Sequence, residues 1–229
     1  MKLAIMQPYF LPYIGYWQLI KAVDTYIVYD DVNYIKSGWI NRNNFLVNKD
    51  KQLFTIQIKG ASSYKLINQI EIIDDFVNFI KSIHQNYNKS PFFGHVMKLL
   101  KQIAEYNKSN LALFIFNSIK IIINYLHIDV NLVLSSSLNK NNVLKGKEKV
   151  IDICKTLGVT DYYNAIGGIE LYSKQDFIQN GINLFFLKTN ITPYKQLNNK
   201  FVPNLSILDV MMFNSVEKIN QMLDDFELL

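Results

Sequence analysis

A chain of 229 residues with 49% apolar content is long enough to bury one large core, and its +5 net charge comes from lysines scattered among asparagines and isoleucines, not from basic runs. That distribution argues against a nucleic-acid surface. The sole cysteine, Cys154, excludes an intrachain disulfide and fits a reducing compartment.

Residues 2–6 form a short apolar run that stops before Pro8 and predicts a buried strand, too brief for a secretory leader. Residues 13–22 continue with helical spacing, and 25–29 form a second strand that ends in Asp30-Asp31. Strand, helix, strand is a βαβ unit. Alternation over 44–59 predicts a hairpin turning at Asn48-Lys49-Asp50, and apolar spacing predicts helices near 74–88, 95–106 and 109–127. These three helices read as an insertion or cap at about 74–128 of a single domain covering 1–229. Polar residues from Asn117 to Asn124 interrupt the most apolar of them, so no membrane span is expected and the protein reads as cytoplasmic.

A strand at 131–134 runs into three serines, and a helix at 147–157 stops at Gly158. A strand ends at 161–164, a helix covers 171–179, and a strand follows at 183–186. Cys154 sits on the amphipathic helix before Gly158 and reads as a small buried thiol, not a nucleophile. The alternation predicts an α/β fold: a Rossmann-like, mostly parallel sheet with flanking helices, with ligands at the carboxyl ends of the strands.

Arg42 is the one arginine among 24 cationic side chains, in Gly38-Trp39-Ile40-Asn41-Arg42-Asn43. A chain that otherwise meets its need for charge with lysine keeps the planar fork where two parallel hydrogen bonds to carboxylate or phosphate are useful. The other reading is a structural salt bridge. Trp39, Asn41 and Asn43 add an aromatic surface and two amides. The loop holding Gln7, Tyr9, Tyr13, Gly15 and Tyr16 joins the first strand to the first helix, where backbone N–H groups can meet a phosphate; the alternative is aromatic packing at a helix start.

Asp30 and Asp31 at a strand end could hold a metal, orient a ribose or act as a general base, with Lys36 and Arg42 to balance them, or be ordinary turn residues. Asn164, Gly167 and Gly168 could present amides to an anion or form a tight turn. Ser206 and Asp209 read equally as site residues or as the cap and first turn of a helix. His84, His95 and His127 do not gather at ligand spacing, so no metal is expected.

With these motifs in hand, the chain resembles the WbqC-like proteins of bacterial O-antigen and surface-polysaccharide gene clusters. The matching pieces are Ala4 through Tyr16, Tyr29-Asp30-Asp31-Val32, Gly38 through Asn43, and Leu205-Ser206-Ile207-Leu208-Asp209. The resemblance implies a transferase or ligase that places an acyl or aminoacyl group, such as glycyl, on the amine of a nucleotide-linked deoxyamino sugar. The donor stays open between an acid activated by ATP and a thioester of coenzyme A or a carrier protein; a homodimer is also open. Tyr13-Ile14-Gly15-Tyr16 stands where nucleotidyltransferases and pantothenate synthetase place His-x-Gly-His at a helix start. Tyrosine can donate to a phosphate but carries no charge near neutrality. The rival reading is a non-catalytic protein that binds nucleotide sugar or partner enzymes.

Overall fold

The computed structural model describes every residue except Lys49, Lys108, Asn198 and Asn199. The first half of the chain forms β1 (Lys2–Met6), α1 (Ile14–Lys21), β2 (Thr25–Val28), β3 (Arg42–Val47), β4 (Asp50–Thr55), β5 (Ile58–Lys59) and β6 (Glu71–Ile72). Helices α2 (Val77–Tyr87), α3 (Phe93–Ala104) and α4 (Leu111–Leu126) follow, then β7 (Asn131–Leu134), α5 (Gly146–Thr156) and β8 (Asp161–Ala165). The chain closes with α6 (Lys174–Ile178), β9 (Asn183–Thr189), α7 (Ile207–Phe213), α8 (Val216–Leu223) and β10 (Phe226–Leu228).

One six-stranded sheet, in the order β10-β9-β8-β1-β2-β7, organises the molecule. Every pairing is parallel except that of β10 with β9. Leu3 of β1 faces Thr25 on one side and Tyr162 on the other, so β1 is central. Strand alternation then sorts the side chains. Ala4, Tyr26 and Val28 point into a core shared with α1, α4, α7 and α8, whereas Leu3, Ile5 and Ile27 meet Val150, Ile153, Cys154 and Phe177 from α5 and α6. Helices cover both faces of the sheet, and the ends of its strands stay open to ligands.

The order carries a functional consequence. From β1 the chain steps outward to β2 and β7, then returns across the sheet to place β8, β9 and β10 on the other side of β1. The switch between β1 and β8 opens a crevice at their carboxyl ends.

Several local expectations shift. The helix expected at 171–179 begins only at Lys174, because Ser173 caps it by accepting from the Gln175 N–H. Strand β9 runs on to Thr189, since β10 pairs with its far end. The expected hairpin is β3–β4, paired from Arg42↔Thr55 to Val47↔Asp50; Lys49 of its turn lies outside the described residues. The two residues of β5 instead pair with β6.

Candidate functional site

Residues 7–13 leave the end of β1 and are held from three directions. Phe10 N–H donates to Ile40 O at 2.9 Å, and the Asn43 amide donates to Phe10 O at 3.2 Å and Leu11 O at 2.6 Å. Ser206 Oγ donates to the same Leu11 carbonyl at 2.7 Å, Ile207 N–H donates to Pro12 O, and Trp17 Nε1 donates to Pro12 O at 3.1 Å. This restraint supports Leu11 at φ 44°, a left-handed conformation that costs a bulky residue about 1–2 kcal/mol. The loop is therefore over-determined, and Tyr9 and Tyr13 are presented on a rigid frame.

Tyr9, Pro12, Tyr13, Trp39, Asn43, Asn44, Lys51 and Asn204 enclose a cavity of about 420 Å³. The opening loop and the Trp39 segment thus share one recess. Trp39 is 48% exposed, leaving its indole available for stacking. Arg42 Nε donates to Gly38 O at 2.7 Å and its guanidinium carbon lies 5.8 Å from the Trp39 ring centroid. Among the described residues Arg42 makes no ion pair, so the salt-bridge reading has no partner there. Burial raises both Tyr9 and Tyr13 above the ordinary phenol range, keeping them as neutral hydrogen-bonding groups.

Several residues read from sequence as ligand contacts are engaged inside the fold. Asn41 is buried, accepting from Tyr34 Oη and donating to Ile56 O. Tyr16 is buried and donates to Gln7 O at 2.9 Å. A Cβ on Gly15 would lie 2.3 Å from Thr189 Oγ1 and 2.6 Å from the Tyr13 ring, so this glycine admits β9 and a neighbouring ring. Tyr13 also bridges to Ser206, and residues 205–207 cross the amino end of α1. Ser206 caps α7 through Leu208 N–H. Asp209 is completely buried and accepts from Tyr194 Oη at 2.5 Å, Gln196 Nε2 at 2.8 Å and Tyr87 Oη at 2.9 Å. Its carboxyl is held above the usual range because burial outweighs those donors.

At the switch point a second recess of about 460 Å³ is lined by Met6, Gln7, Tyr9, Tyr29, Gly146, Asn164, Gly167, Gly168 and Tyr172 among others. It meets the first cavity at Tyr9. Asn164 Oδ1 accepts from Ala165 N–H, and Gly168 is fixed by this packing, since a Cβ there would stand 2.5 Å from Asn164 Nδ2. Gly167 is exposed in open space. A third recess, of about 560 Å³, shares Tyr29, Val32 and Gly146 with the second and adds Asp31, Ser136, Lys145 and Lys149.

The two aspartates part company here. Asp30 is buried, and its oxygens accept from Ser136 N–H at 2.9 Å and Asn68 Nδ2 at 3.2 Å, tying together the loops after β2 and β7. Asp31 faces the third recess. Its Oδ2 lies 3.0 Å from both Lys140 Nζ and Lys149 Nζ. Burial pushes its carboxyl up, but the Ser135 hydroxyl and the two ammonium groups more than offset that and hold it below the usual range. Lys36, expected as the counter-charge, is exposed and makes no ion pair among the described residues.

The model of the WbqC-like protein family matches residues 7–221, from the opening loop through α7 and most of α8. The chain belongs to that family. A protein of Mycobacterium tuberculosis (strain ATCC 25618 / H37Rv), "Uncharacterized protein Rv1507c", is 30% identical over 222 residues, covering 93% of each chain. No solved structure matches the chain.

In this WbqC-like protein the sequence reading missed Lys51, Lys140, Lys145 and Lys149. Only the last two carried a legible signal. The run Leu144-Lys145-Gly146-Lys147-Glu148-Lys149 puts glycine and lysines at a helix start that follows a strand, a pattern suited to anions.

Proposed function

We propose that this chain forms an amide on the amine of a nucleotide-linked deoxyamino sugar, transferring an acyl or aminoacyl group for O-antigen or surface-polysaccharide biosynthesis. The observation that carries this reading is the run of three adjoining recesses along the carboxyl edge of the sheet. It joins an aromatic and amide-lined cavity at Trp39 to a carboxylate at Asp31.

The first cavity suits a base or sugar ring between Trp39 and the loop tyrosines, and the Arg42 fork beside it suits a carboxylate or phosphate. Asp31 lines the third recess, and its negative charge can draw a sugar amine toward that wall and orient it. A carboxylate held below the usual range is a weak base near neutrality, so Asp31 acts as counter-ion and positioning group. Asp30 keeps the adjacent backbone in place. In the reaction the neutral amine attacks the acyl carbon, a C–N bond forms, the bond from that carbon to its leaving group breaks, and the amine proton passes to solvent or to the departing group.

The purified protein, incubated with a nucleotide-linked amino sugar and each of three donors, tests this. The donors are an acid with ATP, an acyl-coenzyme A and an acyl carrier protein. An acyl mass increment on the sugar nucleotide with one donor is the expected result, and a product without ATP assigns a thioester. Binding without turnover under every donor would replace the enzyme by a non-catalytic binding protein.

A further inference from the structure

We propose that the third recess is a diphosphate-binding site built from Lys145, Lys149 and the amino end of α5, with Lys140 adding buried positive charge behind Asp31. The inference rests on the nucleotide-linked substrate proposed above and identifies where its diphosphate sits.

Charge is the first argument. The side chains of Lys140 and Lys149 are 1% and 7% exposed, and both ammonium groups lie 3.0 Å from the same Asp31 Oδ2. One carboxylate neutralises one of them. The neighbouring Asp30 turns its oxygens to Ser136 N–H and Asn68 Nδ2 and pairs with neither lysine. Lys147 is taken by Asp176, and Glu148 is exposed on the first turn of α5. A buried ammonium in excess of its counter-ions favours an anion beside it.

Hydrogen-bonding capacity points the same way. Lys149 Nζ reaches Asp31 Oδ2 and Asp31 O and lies 5.3 Å from the Tyr29 ring centroid; Lys140 Nζ reaches Asp31 Oδ2 and Ser135 O. Each has two acceptors for three donors. Ser135 is fully buried with its hydroxyl beside Asp31, where it helps to hold that carboxylate in its charged form. An anion in the recess would meet the remaining Lys149 donor, and Lys140 behind Asp31 adds to the positive charge it feels.

The backbone completes the site. Helix α5 has no side-chain cap, and Gly146, at φ 52°, opens its amino end onto the second and third recesses. Uncapped N–H groups at a helix start favour phosphate oxygens. The amino end of α1, the position expected from sequence, is crossed by residues 205–207 and covered by the Tyr13 ring.

Calorimetric titration of the full chain with inorganic diphosphate tests the site. Saturable binding is expected, weakened about tenfold or more by Lys145→Ala and by Lys149→Met. It should be unchanged by Lys101→Ala, an exposed position on α3. Lys145 is exposed, so its variant retains the fold if Lys149→Met does not. UDP binding tighter than ATP assigns the diphosphate to a sugar nucleotide, and the reverse assigns it to an activating nucleotide. Absent binding, or full affinity in both lysine variants, overturns the inference. Lysine-dependent binding without amide product would instead leave this site standing and remove the proposed reaction. Amide formation with an unchanged KM in Lys145→Ala, together with no diphosphate binding, would do the opposite.

Discussion

Replacing Asn43 by Ala should loosen the opening loop by an amount the hydrogen bonds define. The Asn43 side chain donates to Phe10 O and Leu11 O and accepts from Asn44 N–H at 2.8 Å. Leu11 O keeps Ser206 Oγ, so the main losses fall on Phe10 O and Asn44 N–H. Each buried backbone group left without a partner costs about 1–3 kcal/mol. Asn43 also lines the Trp39 cavity, and water entering there recovers part of this, giving an expected loss of about 2–3 kcal/mol. Urea unfolding should show a lower midpoint with an unchanged slope. A double substitution with Ser206→Ala orphans Leu11 O as well, so it should lose about 1–2 kcal/mol more than the two single changes combined. A loss under about 0.5 kcal/mol for Asn43→Ala, or simple additivity in the pair, would refute the view that these groups hold the strained loop.

Asp31→Asn should destabilise by about 3–5 kcal/mol, because it strips the counter-ion from two buried ammonium groups; near-wild-type thermal stability would count against the cluster. Asp31 has a lowered carboxyl, so its contribution is present above the ordinary carboxylate range and lost as pH falls through its own lower value. Asp209 has the opposite sign. Its raised carboxyl binds a proton more tightly folded than unfolded, so its contribution declines as pH rises from about 3.9 toward the folded value. The stability advantage of wild type over Asp209→Asn should therefore shrink between acid and neutral pH, and an advantage that grows over that interval would contradict the assignment. Gly15→Ala should cost about 1–3 kcal/mol, because its Cβ meets Thr189 Oγ1 and the Tyr13 ring. The Thr189→Gly background should recover part of this in melting experiments, and no recovery would place the strain elsewhere.

Local pattern was enough for much of the architecture. The apolar run 2–6, the β-branched and aromatic run 25–29 and the glycine after Thr156-Leu157 mark β1, β2 and α5, since burial on both faces and helix termination are written in neighbouring residues. The window around the single arginine likewise marked a wall of the first cavity, which Trp39 and Asn43 line. Helix α8 also carries a local signal in Ser215, which caps it by accepting from Lys218 N–H.

Other features had no local signature. Strand β10 exists because three residues near the end of the chain find the free edge of β9. Asp30 and Asp31 are adjacent and chemically identical, yet one closes two loops and the other faces lysines more than a hundred positions away. Gly15, Ser206 and Asp209 read from sequence as either site or structural residues, and the contacts they make with β9, the Leu11 carbonyl and two tyrosines come from distant segments. Periodicity and turn chemistry act over a few residues and fix the elements. Which polar groups are left over for a ligand depends on contacts between distant segments, and only the folded sheet brings those together.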